Sequence, residues 1–111
     1  SLLFFNADHF KDRVRTLIRE AGARPRWFLL VAESIPILDI TGAAALESLR
    51  VELGQAGTVL VIARAKALPM KMMLQSGLVE RMGEDYFFPT ITAGVRSFQA
   101  AQSNKSEESP E

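Results

Sequence analysis

Apolar residues change their spacing several times along the chain, and each change marks an element. Leu2-Leu3-Phe4-Phe5 is an unbroken apolar run of strand length, and Asn6 or Asp8 after it can cap a helix. From His9 the period lengthens. Phe10, Val14, Leu17, Ile18 and Ala21 fall on one helical face, and Lys11, Asp12, Arg13, Arg15, Arg19 and Glu20 on the other. Gly22 and Pro25 end that helix. Trp27 to Ala32 is apolar without alternation, which predicts a central strand covered on both faces. After the break at Glu33-Ser34-Ile35-Pro36, the positions Ala45, Leu46, Leu49, Leu53 and Ala56 describe a second helix, closed by Gly57. Thr58 to Ala63 is a second continuously apolar, β-branched run, hence a second central strand.

A third, shorter helix runs from Ala67 to Ser76, with Pro69 in its first turn and Gly77 at its end. Met70, Met73 and Leu74 share a face and read as gap-filling core or a soft contact surface. Leu78-Val79 packs, Gly83-Glu84-Asp85 turns, and Tyr86-Phe87-Phe88 is a short edge strand ended by Pro89. Thr90 caps a fourth helix with Ile91, Val95, Phe98 and Ala101 as its apolar face. The alternation of strand and helix predicts an α/β fold with right-handed crossovers, four to five mostly parallel central strands and four helices. From Gln102 the chain turns to Ser, Asn, Lys, Glu and Pro. Residues 1–101 are therefore expected to form the domain and 102–111 a disordered polar tail. The start at Ser1, directly in a strand-like run, predicts an excised piece of a longer protein with a preceding strand missing.

Composition narrows the function. A chain of 111 residues is one domain, and 48 % apolar residues suffice for a core. Thirteen basic residues balance thirteen acidic ones, which argues against nucleic acid and against a membrane-surface footprint. The apolar runs are too short for membrane insertion. Without cysteine there are no disulfides and no thiol chemistry, as suits a reducing compartment. His9 is the single histidine, so a zinc site is not expected. No phosphate-binding loop, dinucleotide fingerprint or nucleophile elbow is present. Asp39, Glu47 and Glu52 show no pairing that would divide acid and base roles. A non-catalytic binding or regulatory module without a cofactor is the reading, with room only for weak nucleotide or anion binding.

The corner Asp39-Ile40-Thr41-Gly42 holds the candidate chemistry. It lies between a strand's C-terminal end and a helix N-terminus, where free N–H groups and the helix dipole concentrate and where α/β sheets place their sites. Thr41 can cap the helix, bind, or carry a phosphate, and Asp39 can accept backbone hydrogen bonds. Capping alone is the commoner role for such residues. Lys66, leaving the second strand at the same edge, is a candidate anion or nucleotide contact.

Four segments, in this order, resemble those of a STAS domain, the module shared by anti-sigma-factor antagonists and the cytoplasmic tails of sulfate-permease (SulP) anion transporters. Leu2-Leu3-Phe4-Phe5-Asn6-Ala7 with Phe10 and Val14 resembles the opening of transporter STAS domains. Asp39-Ile40-Thr41-Gly42-Ala43 with Leu46 and Leu49 resembles the D-x-[ST]-[GA] signature. Ala63-Arg64-Ala65-Lys66 with Leu74-Gln75-Ser76-Gly77-Leu78 resembles the segment that follows, and Phe88-Pro89-Thr90 is closer to the transporter version than to the soluble one. The resemblance implies a cytoplasmic regulatory domain tethered to the inner membrane. Its partners would be its own transporter's transmembrane domain and cytosolic regulatory proteins. In soluble antagonists the position of Thr41 is a serine phosphorylated by a kinase that is also the anti-sigma factor, so a phosphoswitched antagonist with that kinase as partner is the alternative. Gly42 stands where antagonists often have a second serine, which favours the transporter version.

Overall fold

The structure is a computed structural model that describes the backbone of residues 6–108 and the side chains of residues 6–103. The expected strand at Leu2 to Phe5 lies outside the described residues. Asn6 caps α1 (Ala7–Glu20), its side chain accepting the N–H of His9 at 3.0 Å. Val14 is buried, while Leu17 on the expected apolar face is 41 % exposed. Strand β1 (Trp27–Val31) leads through a short 3-10 turn (Ala32–Ser34) toward α2 (Ile40–Gln55). Then follow β2 (Val59–Ala63), α3 (Ala67–Gln75), α4 (Leu78–Met82), a 3-10 turn (Glu84–Tyr86), β3 (Phe87–Phe88) and α5 (Ile91–Glu108).

The three described strands are parallel, in the order β1-β2-β3. Trp27 pairs with Val59 and Val31 with Ala63, so β1 and β2 end level. This is the α/β parallel architecture expected, with differences in count and placement. Strand β2 is central, and Leu60 to Ala63 are buried. Strand β1, expected to be central as well, is an edge among the described residues, and Val31 is exposed. Both faces of β1 are covered. Leu30 joins the main core, while Trp27 packs on the other face against Tyr86, Phe88 and Phe98 at centroid distances of 5.6, 6.3 and 5.2 Å. An apolar run reports that both faces are covered, not that both edges are hydrogen-bonded.

Five α-helices are described where four were expected. The extra break is at Ser76-Gly77, between the end of α3 at Gln75 and the start of α4 at Leu78, where Gly77 takes a left-handed φ of 84°. The last helix runs to Glu108, past Gln102, where the sequence placed the end of the folded part.

Helices α1 and α2 pack on each other. Arg15 donates to Glu52 through Nε at 2.7 Å and Nη2 at 2.8 Å, joining the two helices in a bidentate pair. Along α2, Leu46, Leu49 and Leu53 recur at helical spacing and are buried in the core with Leu60, Ile62, Met73 and Leu78. That buried stripe fixes which side of α2 faces water.

Candidate functional site at the start of helix α2

Asp39 caps α2. Its Oδ1 accepts the N–H of Gly42 at 2.8 Å, and its carbonyl accepts the N–H of Ala43 at 2.9 Å. Thr41, a candidate for that role, lies one step inside the first turn, with Ile40 as the first helical residue. Both are exposed, Ile40 at 75 %, whereas Gly42 and Ala43 are buried. The alternation is imposed by the core stripe: Ala43 shares the side of Leu46, and Ile40 and Thr41 point away from it. The turn is thus held by Asp39, which leaves the Thr41 hydroxyl free of a capping duty.

Lys66 is exposed at the residue before α3 and makes no side-chain capping bond. Beside it Arg64 has a φ of 60°, a left-handed backbone that a non-glycine side chain adopts at some cost. Two contacts hold it there. Its N–H donates to the carbonyl of Phe88 at 3.0 Å, and its guanidinium pairs with Glu33 beyond the end of β1. The C-terminal edge of the sheet is therefore tied across the three described strands. Neither the left-handed backbone of Arg64 nor this tie was anticipated from the sequence, which has no glycine at that position to announce it.

A groove of about 600 Å³ opens beside the corner, lined by Ile40, Ala43, Ala44 and Glu47 of α2 and by Met72, Gln75, Ser76 and Arg81 from α3 to α4. Of the sequence candidates, Ile40 alone lines it; Asp39, Thr41, Gly42 and Lys66 do not. Glu47 accepts from Arg50 Nε at 2.7 Å and Nη2 at 2.8 Å. These bonds, helped by the charges of Arg50 and Arg81, hold its carboxyl below the usual range. Arg81 Nη1 donates to the carbonyl of Ser76 at 3.2 Å. Sequence reading missed Arg81 because its place depends on the break at Gly77, which turns α4 back toward α2. Glycine in G-L after a helix was the available signal.

Among the described residues, no three His, Cys, Asp or Glu side chains stand together as a metal site. No helix among them is long and apolar enough to cross a membrane. What the corner presents is an exposed helix start beside a groove lined by both apolar and polar side chains.

The family model for the STAS domain matches residues 1–94. A probable sulfate transporter of Mycobacterium tuberculosis is 35 % identical over 98 residues, 88 % of this chain and 18 % of that protein's length. Probable sulfate transporter 3.5 of Arabidopsis thaliana is 26 % identical over 110 residues, covering 99 % of this chain and 17 % of its own. The chain thus spans less than a fifth of these curated relatives. Among solved structures, the STAS domain of a SulP transporter from Vibrio cholerae matches with a TM-score of 0.74 and 21 % identity over 86 % of this chain and 77 % of that one. The murine solute carrier 26 family member A9 anion transporter in its inward-facing state matches with a TM-score of 0.77 and 22 % identity, over 90 % of this chain and 17 % of its own. At that identity the structures speak for the fold, and the family model and the mycobacterial relative carry the assignment: both sequence relatives are named as probable sulfate transporters, and the chain belongs to the STAS domains.

Proposed function

We propose that this domain is a non-catalytic regulatory part of a SulP-type anion transporter, on the cytoplasmic side of the membrane, acting through the start of α2. The observation that carries this reading is the 35 % identity over 98 residues to a probable sulfate transporter. The geometry of the corner supports it. Asp39 fixes the turn, so Ile40 and Thr41 are displayed on a rigid helix end rather than on a mobile loop. Thr41 is the position at which a modification would act, because a phosphate in the first helical turn meets the positive end of the dipole. Lys66 adds a cation at the same sheet edge and is the proposed contact for a weakly bound anion or nucleotide. The partners are the transporter's own membrane part and cytosolic regulators.

Radiolabelled sulfate uptake tests the reading in cells that lack their own uptake system and express the complete polypeptide. Deleting residues 1–101 is expected to change uptake while the protein still reaches the membrane. In membrane vesicles the domain is expected to be protease-accessible only from the cytoplasmic side. Unchanged uptake, or accessibility from the opposite side, would contradict it.

A further inference from the structure

The groove beside the corner has walls of one chemistry and an end of another. Ala43 and Ala44 make a low apolar wall on α2, with Ile40 at its mouth. On α3, Met72 faces them, and Leu68 precedes it by one helical turn on the same stripe. Ile40 and Leu68 are 75 % and 69 % exposed, the two most exposed large apolar residues described. Apolar surface of this kind beside a groove marks an interaction site.

The far end is cationic. Glu47 is bound bidentately by Arg50 and also feels the charge of Arg81, so the three groups together carry one net positive charge. Arg81 lies over Gly77, held by the Ser76 carbonyl, and among the described residues it has no carboxylate in ion-pair contact. The trough therefore ends in a net positive charge, with no carboxylate among the described residues in ion-pair contact with Arg81. From Ile40 to Glu47 it follows two turns of α2, about 10 Å at the helical rise. That is the span of two turns of a docked helix.

We propose that this groove receives an amphipathic helix of a separate partner protein, apolar on its docking face and bearing a carboxylate that pairs with Arg81. The inference rests on the reading of the domain as an interaction module and names the chemistry of its partner. A wholly apolar segment would bury Arg81 unpaired, and a basic one would be repelled by it. A small anion alone would leave the walls of Ile40 and Met72 in water. An acidic amphipathic helix satisfies both, in the helix-in-groove mode.

The probe is a synthetic helix-forming peptide of about four turns, with leucines at helical spacing and flanking glutamates. A matched peptide carries lysines in place of the glutamates. Each is titrated into the isotope-labelled domain by NMR. The acidic peptide is expected to shift the amides of Ile40, Ala44, Met72 and Gln75 saturably. Arg81→Glu should weaken it by about tenfold or more and should favour the lysine peptide instead. Arg81 is exposed, but the variant loses its bond to the Ser76 carbonyl and its attraction to Glu47. Arg81→Gln is therefore titrated too, and melting curves of both are recorded. The glutamine variant should weaken binding of the acidic peptide without favouring the lysine peptide. The proposal is overturned if neither peptide saturates, if both bind equally, or if the shifts fall elsewhere. Self-association of the free domain through the same amides would equally replace it. If the peptides fail while changes at Thr41 still alter uptake, this inference falls and the transporter reading stands.

Discussion

The Oδ1 atom of Asp39 accepts the backbone N–H of Gly42 at 2.8 Å, and this bond sets the first turn of α2 without help from Thr41. The division of labour has a direct consequence for stability. Asp39→Ala should cost about 0.5–2 kcal/mol, the usual loss on removing an N-cap. Thr41→Ala should be neutral or slightly stabilising, since alanine is the better helix former at an exposed position. Urea unfolding of the two variants measures both. Equal losses would mean that the hydroxyl shares the cap.

Leu49 is 0 % exposed at the centre of the stripe that binds α2 to the sheet. Leu49→Ala should destabilise by about 2–5 kcal/mol through lost burial and the cavity left behind. A cost near zero in denaturant unfolding would mean that this face of α2 is not the core face.

Gly94 is the point where α5 approaches the sheet. An added Cβ would stand 3.4 Å from both Leu29 Cδ1 and Phe88 Cδ2, the near limit of ordinary contact. Gly94→Ala should therefore be tolerated, with the lost contact freedom offset by about 0.5–1 kcal/mol of helix propensity. Gly94→Leu should overpack the site and cost about 1–3 kcal/mol. Thermal melts that rank the two variants the other way would show that α5 stands off the sheet.

The distribution of these contacts explains what could be read from the chain. The core stripe Leu46, Leu49 and Leu53, the strand pair and the caps at Asn6 and Thr90 follow from local periodicity and capping chemistry, and the Thr90 hydroxyl accepts the N–H of Ala93 at 3.0 Å. The place of β1 at an edge of the described sheet does not follow from its apolar run, because Leu30 on one face and Trp27 on the other pack against side chains whatever the strand's neighbours are. At the corner, residue type alone could not assign the cap between Asp39 and Thr41; backbone register decides it. The groove was illegible for a further reason. Ile40 and Arg81 are far apart in sequence and meet only because Gly77 redirects the chain.

Acid should loosen the contact between α1 and α2. The guanidinium of Arg15 holds the Glu52 carboxyl below its ordinary value of 4.5. A lowered folded-state value means that the pair stabilises above that pH and that the contribution is lost as the pH falls through the folded-state value. Glu52→Gln should flatten the acid side of the stability profile. The difference should shrink in high salt, because both side chains are about 40 % exposed. Identical acid limbs in the two proteins would remove the pair from the account.

Residues from Gln102 onward should be dispensable for the fold, because the sequence there offers no large apolar side chain to the domain. Truncation before Gln102 should leave Tm nearly unchanged. A fall of several degrees would show that this part of α5 docks on the domain.

The claim that matters most is that the exposed start of α2 regulates transport. Its most direct measurement is the uptake of radiolabelled sulfate by the complete polypeptide carrying Thr41→Ala, Thr41→Glu or Ile40→Glu, with expression and membrane insertion matched. Neither side chain is buried, so folding should survive in all three. The account predicts that Thr41→Glu and Ile40→Glu change uptake severalfold, well beyond any loss of stability, while Thr41→Ala keeps the protein folded. Wild-type uptake from both charged variants in folded, correctly inserted protein would contradict it.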